Sequence, residues 1–105
     1  MGAKTEIKLS RLREIGWALW DPIGLRKISG GEWQEGGACA DEYDSYLLQV
    51  VGKLRSGMSP DDAAAYLEEI ETDYMGLGRS VTTGNRAKAT VAAINDYLGT
   101  ALGLT

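Results

Sequence analysis

The hydrophobic pattern is clearest between Asp41 and Met75, where it predicts two helices joined by a tight turn. Apolar positions in the first half recur at helical spacing, and they are Tyr43, Tyr46, Leu47, Val50, Val51 and Leu54. A stripe of this kind is typical of one buried helix face and not of a half-buried strand. Gly57 follows the stripe, where glycine commonly ends a helix because it adopts positive φ at little steric cost.

The second helix of this hairpin is predicted to begin at Ser59-Pro60. The Ser59 hydroxyl can accept a hydrogen bond from a free backbone N–H, and Pro60 loses no needed donor at the first helical position. Asp61 and Asp62 place negative charge at the positive end of the helix dipole. Gly76 marks the predicted end. The apolar positions in between are Ala63, Leu67, Ile70 and Tyr74.

An earlier helix is predicted from about Thr5 to Trp20, because the residue before Pro22 is disfavoured in helical backbone. Its expected core-facing positions are Leu9, Leu12, Ile15, Gly16, Leu19 and Trp20. The turn that follows, residues 20–25, carries large apolar residues on both sides, which is unusual for an exposed loop. We expect it to fold back and close one end of the core, and a ligand or partner site is the alternative.

Residues 26–40 form a glycine-rich connection with Trp33 near its centre. A connection of this length is uncommon inside a compact domain and is usually functional or mobile. Trp33, flanked by Glu32 and Glu35, has the character of an anchor for a protein partner, since aromatic side chains dominate interface energetics. The sequence leaves open the alternative that Trp33 covers the core from outside.

The last helix is predicted from about Arg86 to Ala101, with Asn85 as its N-cap. Its apolar positions are Ala87, Val91, Ile94, Leu98 and Leu102. Four helices with short or folded connections favour an all-α fold. We predict a single domain over residues 1–105, an antiparallel bundle of about four helices with the long glycine-rich loop between the first two.

Charge is distributed unevenly along the chain. The net charge is −4, yet the segment from Asp41 to Met75 carries nine acidic residues against Lys53 and Arg55. Such a surface repels nucleic acid and lipid head groups and attracts basic proteins at enhanced rates. A solvated face that only maintains solubility is the alternative explanation.

Two further features bear on where the protein resides. No apolar run approaches the roughly 20 residues that span a bilayer, and the N-terminus lacks the apolar core of a secretory signal. The single cysteine, Cys39, excludes an internal disulfide, which suits a reducing compartment. We therefore expect a cytoplasmic protein.

The sequence offers few groups for catalysis. The absence of histidine removes the commonest general base, the Ser-His-Asp and Cys-His arrangements, and the histidine-containing zinc sites. Cys39 has acidic neighbours that disfavour a thiolate. We predict a protein that is not an enzyme and holds no cofactor.

Carboxylates are the only abundant functional groups, and they suggest a divalent-metal site as an alternative. Clustered oxygen ligands suit calcium or magnesium, although the spacing does not match the twelve-residue calcium loop. The carboxylates concerned are Asp21, Asp41, Glu42 and Asp44. At a helix start, such aspartates also serve more simply as caps and dipole partners.

Three motifs, in this order, carry a resemblance to known proteins: Trp20-Asp21-Pro22-Ile23-Gly24, Asp41-Glu42-Tyr43-Asp44-Ser45-Tyr46 and Ile70-Glu71-Thr72-Asp73-Tyr74-Met75-Gly76-Leu77. The chain resembles a set of small, all-helical, cytoplasmic bacterial proteins of about this length with no assigned reaction. The likeness covers about Ile15 to Leu77, and this chain departs from it in a longer glycine-rich segment. Some proteins of this kind are proposed as immunity partners of secreted toxins, and the resemblance implies such a role.

The leading hypothesis is a non-enzymatic acidic protein that binds a basic partner, as an immunity protein neutralises a toxin. The predicted contact residues are Asp61, Asp62, Tyr66, Glu69 and Asp73 along one exposed side, with Trp33 in addition. One alternative is a small-ligand or divalent-metal-binding protein that uses the first two motifs as a site. Another is a homodimer or assembly subunit with a self-interface near Trp17 and Trp20.

Overall fold

The computed structural model describes residues 7–24 and 42–101, and within these ranges the chain is helical with no strand. Helix α1 covers Leu9–Ile15 and continues as a π-helical turn at Gly16–Trp20. Helix α2 covers Asp44–Arg55. Helix α3 covers Pro60–Glu69 and continues as a π-helical turn at Ile70–Tyr74, and helix α4 covers Thr83–Ala101. The predicted all-α bundle is confirmed. The glycine-rich loop, with Trp33, and Asp41 fall outside the described residues.

One core runs through the bundle, with α4 packed against each of the other three helices. The largest fully buried side chains of this core are Trp20, Tyr43, Leu12, Leu47, Leu67, Ile94, Val50 and Val91, and Trp17 is buried beside them. The predicted stripe of α2 is confirmed, because three of its positions, Leu47, Val50 and Val51, are buried. None of the described helices, α4 included, is both long and apolar enough to cross a membrane.

The hairpin of α2 and α3 forms as its sequence predicts. Gly57 has φ +100° and ends the turn after α2. The Ser59 Oγ accepts a hydrogen bond from the backbone N–H of Asp62 at 3.1 Å, and Pro60 occupies the first helical position. The short connection between the two helices places them side by side as neighbours in the bundle.

Helix α1 differs from its prediction at both ends. It begins at Leu9 and not at Thr5, since Lys8 is in extended backbone. In the π-helical turn the N–H of Asp21 donates to the Gly16 carbonyl five residues earlier, which rotates the last side chains relative to an α-helix. As a result Trp17 is buried, whereas the predicted core residue Leu19 is 38% exposed.

Helix α3 shows the same kind of correction. The N–H of Met75 donates to the Ile70 carbonyl at 2.8 Å, again across five residues. Tyr74 was expected on the apolar stripe, but this prediction is wrong because its side chain is 73% exposed. Glu71 instead faces inward and is buried. Both corrections follow from a wider turn that the α-helical period does not anticipate.

Helix α4 begins earlier than predicted. The backbone N–H of Arg86 donates to the Thr82 carbonyl at 2.9 Å, which makes Thr82 the N-terminal cap position. Asn85 lies inside the first turn and is exposed, so its prediction as the N-cap is wrong. Four of the predicted apolar positions of α4, Ala87, Val91, Ile94 and Leu98, are buried, and the fifth, Leu102, lies outside the described residues.

Candidate functional site

The candidate site lies on the outward side of α3. The segment from Pro60 to Tyr74 contains six acidic residues and no lysine or arginine. Its core-facing side is occupied by the small or apolar side chains of Ala63, Ala64 and Leu67. Four acidic side chains are exposed, and we refer to them as the acidic face: Asp61, Asp62, Glu69 and Asp73.

The carboxylates of the acidic face differ from the other two carboxylates of α3 in whether they form an ion pair. Glu68 pairs with Arg79 at 2.6 Å, and Glu71 pairs with Arg86 at 2.6 Å. Within residues 7–24 and 42–101, no carboxylate of the acidic face is in an ion pair. The inner acids of α3 are therefore neutralised within the fold, while the outer ones keep their charge toward solvent.

Helical spacing shows which predicted contact residues lie together. Asp62, Tyr66 and Glu69 follow one another at intervals of four and three residues, which places them on one side of α3. Asp73 follows within the π-helical turn, where it is exposed. Asp61 lies about 100° around the helix from Asp62 and points away from this line. Tyr66 is half-buried between the acidic positions. The predicted residue Trp33 lies outside the described part of the chain.

Three tyrosines bridge α2 and α3 beside the acidic face, and we call Tyr46, Tyr66 and Tyr74 the tyrosine cluster. The rings of Tyr46 and Tyr74 pack edge to face with centroids 6.0 Å apart. The Nζ of Lys53, on α2, lies 4.6 Å from the centre of the Tyr66 ring. Helical spacing predicts Tyr46 and Tyr74 in the core, and Tyr74 is exposed instead because α3 ends in a π-helical turn.

Burial shifts the pKa of two members of the tyrosine cluster. The pKa of Tyr46 is raised above its ordinary value of 10.0, first by burial and then by the neighbouring Tyr74 and Glu42. Burial, followed by the nearby Tyr46, raises the pKa of Tyr66 in the same direction. Both hydroxyls are protonated at neutral pH, as a tyrosine of ordinary pKa also is, and that of Tyr46 shares a hydrogen bond with Tyr74.

An open groove with a volume of about 720 Å³ runs along the outer side of α2, next to this cluster. Its lining residues are Leu48, Gln49, Gly52, Lys53, Ser56, Gly57 and Met58. Leu48 and Met58 are exposed apolar side chains. Because Lys53 lines the groove and also covers Tyr66, the candidate surface extends continuously from α3 onto α2.

The first two sequence motifs meet at one end of the bundle, where their polar groups bond to one another. The hydroxyl of Tyr43 donates to Asp21 Oδ1 at 2.8 Å and accepts the backbone N–H of Ile23 at 3.1 Å. Asp44 accepts two hydrogen bonds from the Arg13 guanidinium, at 3.0 and 2.7 Å. Two of the carboxylates considered for a cation are thus engaged within the fold.

The expectation that residues 20–25 fold back and close the core is confirmed for Trp20 alone, since Ile23 is 40% exposed and Leu25 lies outside the described residues. Trp20 is fully buried and its ring centroid lies 5.3 Å from that of Tyr43. Trp17 is also buried, so neither indole ring is available to the self-interface that the sequence suggested. Among the described residues, no three His, Cys, Asp or Glu side chains are grouped so that they could hold a metal ion.

A partly buried ion pair, with the carboxylate of Glu71 buried and Arg86 partly exposed, joins the third motif to this end of the bundle. Arg86, on α4, donates to both carboxylate oxygens of Glu71 and also to the backbone carbonyl of Trp20 at 2.9 Å. The Thr83 hydroxyl donates to the same carboxylate at 3.2 Å. One guanidinium thereby ties together the ends of α1 and α3 and the start of α4. The sequence does not indicate this contact, because Glu71 stands among acidic residues that are mostly exposed.

Comparisons with known proteins add no relative. A scan against protein-family models found no match, a search of curated proteins found none, and no solved structure was found to be similar. The functional interpretation therefore depends on the residues and contacts described above.

Proposed function

We propose that this protein is a non-enzymatic binding protein whose acidic face engages a protein partner with a basic surface. The observation that carries the proposal is the separation of charges on α3. Glu68 and Glu71 are paired with arginines, whereas Asp62, Glu69 and Asp73 are exposed and form no ion pair among the described residues. Unpaired surface charge of one sign steers association with an oppositely charged partner.

Tyrosine side chains beside the charged residues support the same proposal. Tyr46, Tyr66 and Tyr74 provide aromatic area that is already held in place by contacts between α2 and α3. Aromatic residues of this kind account for much of the binding energy at protein interfaces, while surrounding charges mainly set the rate and the specificity of association.

In its most specific form, the proposal is that this chain acts as an immunity protein, which neutralises a basic bacterial toxin in the cytoplasm. This form is supported by the resemblance of the three sequence motifs and by the single cysteine. A toxin that acts on nucleic acid needs a basic surface, and an acidic helix with adjacent tyrosines is complementary to such a surface.

The test compares partner capture by the wild type with capture by Glu69→Lys/Asp73→Lys. We expect a basic protein in lysate from the producing cells to be retained by the wild type at low salt and lost from the variant. With that protein purified, the double reversal should slow association on the order of tenfold, because steering changes the on-rate more than the off-rate. Surface plasmon resonance at two salt concentrations measures both rates.

A matched control is Glu14→Lys/Asp96→Lys, which changes the net charge equally at exposed positions on α1 and α4. This control should retain the partner and an association rate within about twofold of the wild type. An association rate at low salt that is the same for the wild type and Glu69→Lys/Asp73→Lys would contradict the proposed face.

A further inference from the structure

The tyrosine cluster already contacts a cation of the same chain, the ammonium group of Lys53. Lys53 extends from α2 and holds its Nζ 4.6 Å above the centre of the Tyr66 ring on α3. Ammonium and guanidinium groups within about 6 Å of a ring centroid are attracted by the negative face of the ring. The internal contact shows that this surface accommodates a cation against a tyrosine.

Tyr74 offers a second ring that no lysine or arginine of the described chain covers. Its side chain is 73% exposed, and its contact with the Tyr46 ring, at an interplanar angle of 67°, supports it from one side. A side chain that is held by a neighbour loses less conformational freedom when a partner binds. Asp73 precedes Tyr74 in the chain and is exposed and unpaired within the described residues.

This inference rests on the proposed function and names the anchor of that interface. We propose that the tyrosine cluster receives an arginine side chain of the basic partner, which stacks on the exposed ring of Tyr74. The acidic face then steers the partner, and the tyrosine cluster fixes its position.

Arginine fits this surface better than lysine for two physical reasons. The planar guanidinium stacks on an aromatic face such as that of Tyr74, while the N–H groups at its edge remain free to donate to other acceptors. It is also more weakly hydrated than an ammonium group, so that it loses less on leaving water. Lys53 serves as an internal cation for Tyr66 and leaves the ring of Tyr74 as the site for the partner.

The test uses a six-arginine and a six-lysine peptide, which carry equal charge, with the full chain. Isothermal titration calorimetry should show that the wild type binds the arginine peptide about two- to fivefold more tightly. Tyr74→Leu keeps an apolar side chain but removes the ring, and it should bind both peptides equally. Tyr74→Phe keeps the ring and should retain the preference. NMR titration should place the largest shifts at the tyrosine cluster.

A second variant tests the role of the internal cation. Lys53→Gln uncovers the Tyr66 ring and should strengthen binding of the arginine peptide more than Lys88→Gln does, which removes an exposed charge on α4. An equal effect of the two substitutions would overturn this assignment of Lys53.

The two proposals fail in different ways. Equal binding of the two peptides by the wild type, or a preference that survives Tyr74→Leu, overturns the arginine anchor. If Glu69→Lys/Asp73→Lys still weakens the binding of both peptides in that case, the acidic face stands without the anchor. If the wild type binds neither peptide, both proposals are overturned.

Discussion

Arg86 connects three elements at the closed end of the bundle. Its guanidinium bonds to the buried Glu71 carboxylate and to the carbonyl that ends α1, at Trp20. A buried carboxylate without its cation is expensive, whereas a buried pair replaced as a whole by apolar groups is often tolerated. The pair therefore contributes to the fold mainly through the cost of separating its members.

We predict that Arg86→Met lowers the free energy of unfolding by about 3–5 kcal/mol, because it leaves Glu71 buried without a cation. The double variant Glu71→Met/Arg86→Met should lose less than Arg86→Met alone, since no unpaired charge remains. Urea unfolding monitored by circular dichroism measures these differences.

Arg79→Met is the control for this prediction. It breaks the exposed pair with Glu68, in which the Arg79 side chain is 61% exposed, and should cost less than about 1 kcal/mol. An effect of Arg79→Met as large as that of Arg86→Met would show that burial does not set the cost of breaking these pairs.

At the level of elements, two π-helical turns explain most differences between the sequence pattern and the structure. Both occur where an apolar stripe of a predicted α-helix approaches its end, at Gly16–Trp20 and at Ile70–Tyr74. The wider turn buries Trp17 in α1 and Glu71 in α3, and it leaves Leu19 and Tyr74 exposed. Helical spacing located the stripes but could not predict a local change of period.

The contact between α1 and α2 depends on a glycine, and this gives a prediction with an internal control. A Cβ on Gly16 would lie 2.7 Å from Leu47 Cδ1, whereas a Cβ on Gly52 would meet nothing within 4 Å. Alanine favours the helix at both sites by about 1 kcal/mol. We expect Gly16→Ala to destabilise the protein by about 1–3 kcal/mol through overpacking, and Gly52→Ala to stabilise it by about 0.5–1 kcal/mol.

Thermal unfolding by calorimetry measures both glycine variants. Gly16→Ala/Leu47→Ala should be less destabilised than the sum of its single substitutions, because removal of the leucine methyl groups relieves the overlap. Equal shifts for Gly16→Ala and Gly52→Ala would mean that close packing at Gly16 does not control stability.

At the scale of the whole molecule, the three sequence motifs converge on the closed end of the bundle. Trp20 contacts Tyr43, the Tyr43 hydroxyl bonds to Asp21, and Arg86 links Trp20 to Glu71. These parts of the motifs thus support the fold. The acidic face and Tyr74 lie on the outward surface of α3, where they add nothing comparable to the core.

At the C-terminal end of α3, we predict that replacing an acidic residue by lysine raises the stability of the protein while it weakens partner binding. Negative charge is unfavourable near a helix C-terminus and favourable near its N-terminus. Asp73→Lys should therefore raise the free energy of unfolding by about 0.3–1 kcal/mol while it weakens partner binding. Asp61→Lys, at the other end of the same helix, should lower it by a similar amount.

Urea unfolding of the two lysine variants at low ionic strength checks the signs. High salt should reduce both effects, since exposed charges are screened. If Asp73→Lys lowers stability, then Asp73 contributes to the fold, and its exposed charge would need no explanation in terms of a partner.

The sequence by itself determined the all-α class, the α2–α3 hairpin and the acidic character of α3. These features depend on local physics, since apolar periodicity, the cap at Ser59 and the positive φ of Gly57 act within a few residues. Four of the predicted contact residues, Asp61, Asp62, Glu69 and Asp73, are exposed for the same reason: their charges are costly to bury.

Only the tertiary structure decided which acids are neutralised and which tyrosines reach the surface. Glu71 is buried because an arginine fifteen residues away in sequence reaches it, and sequence spacing within α3 contains no sign of that contact. Tyr74 is exposed because the end of α3 widens, and Lys53 covers Tyr66 because α2 and α3 pack side by side. Such outcomes depend on long-range packing, which local periodicity does not encode.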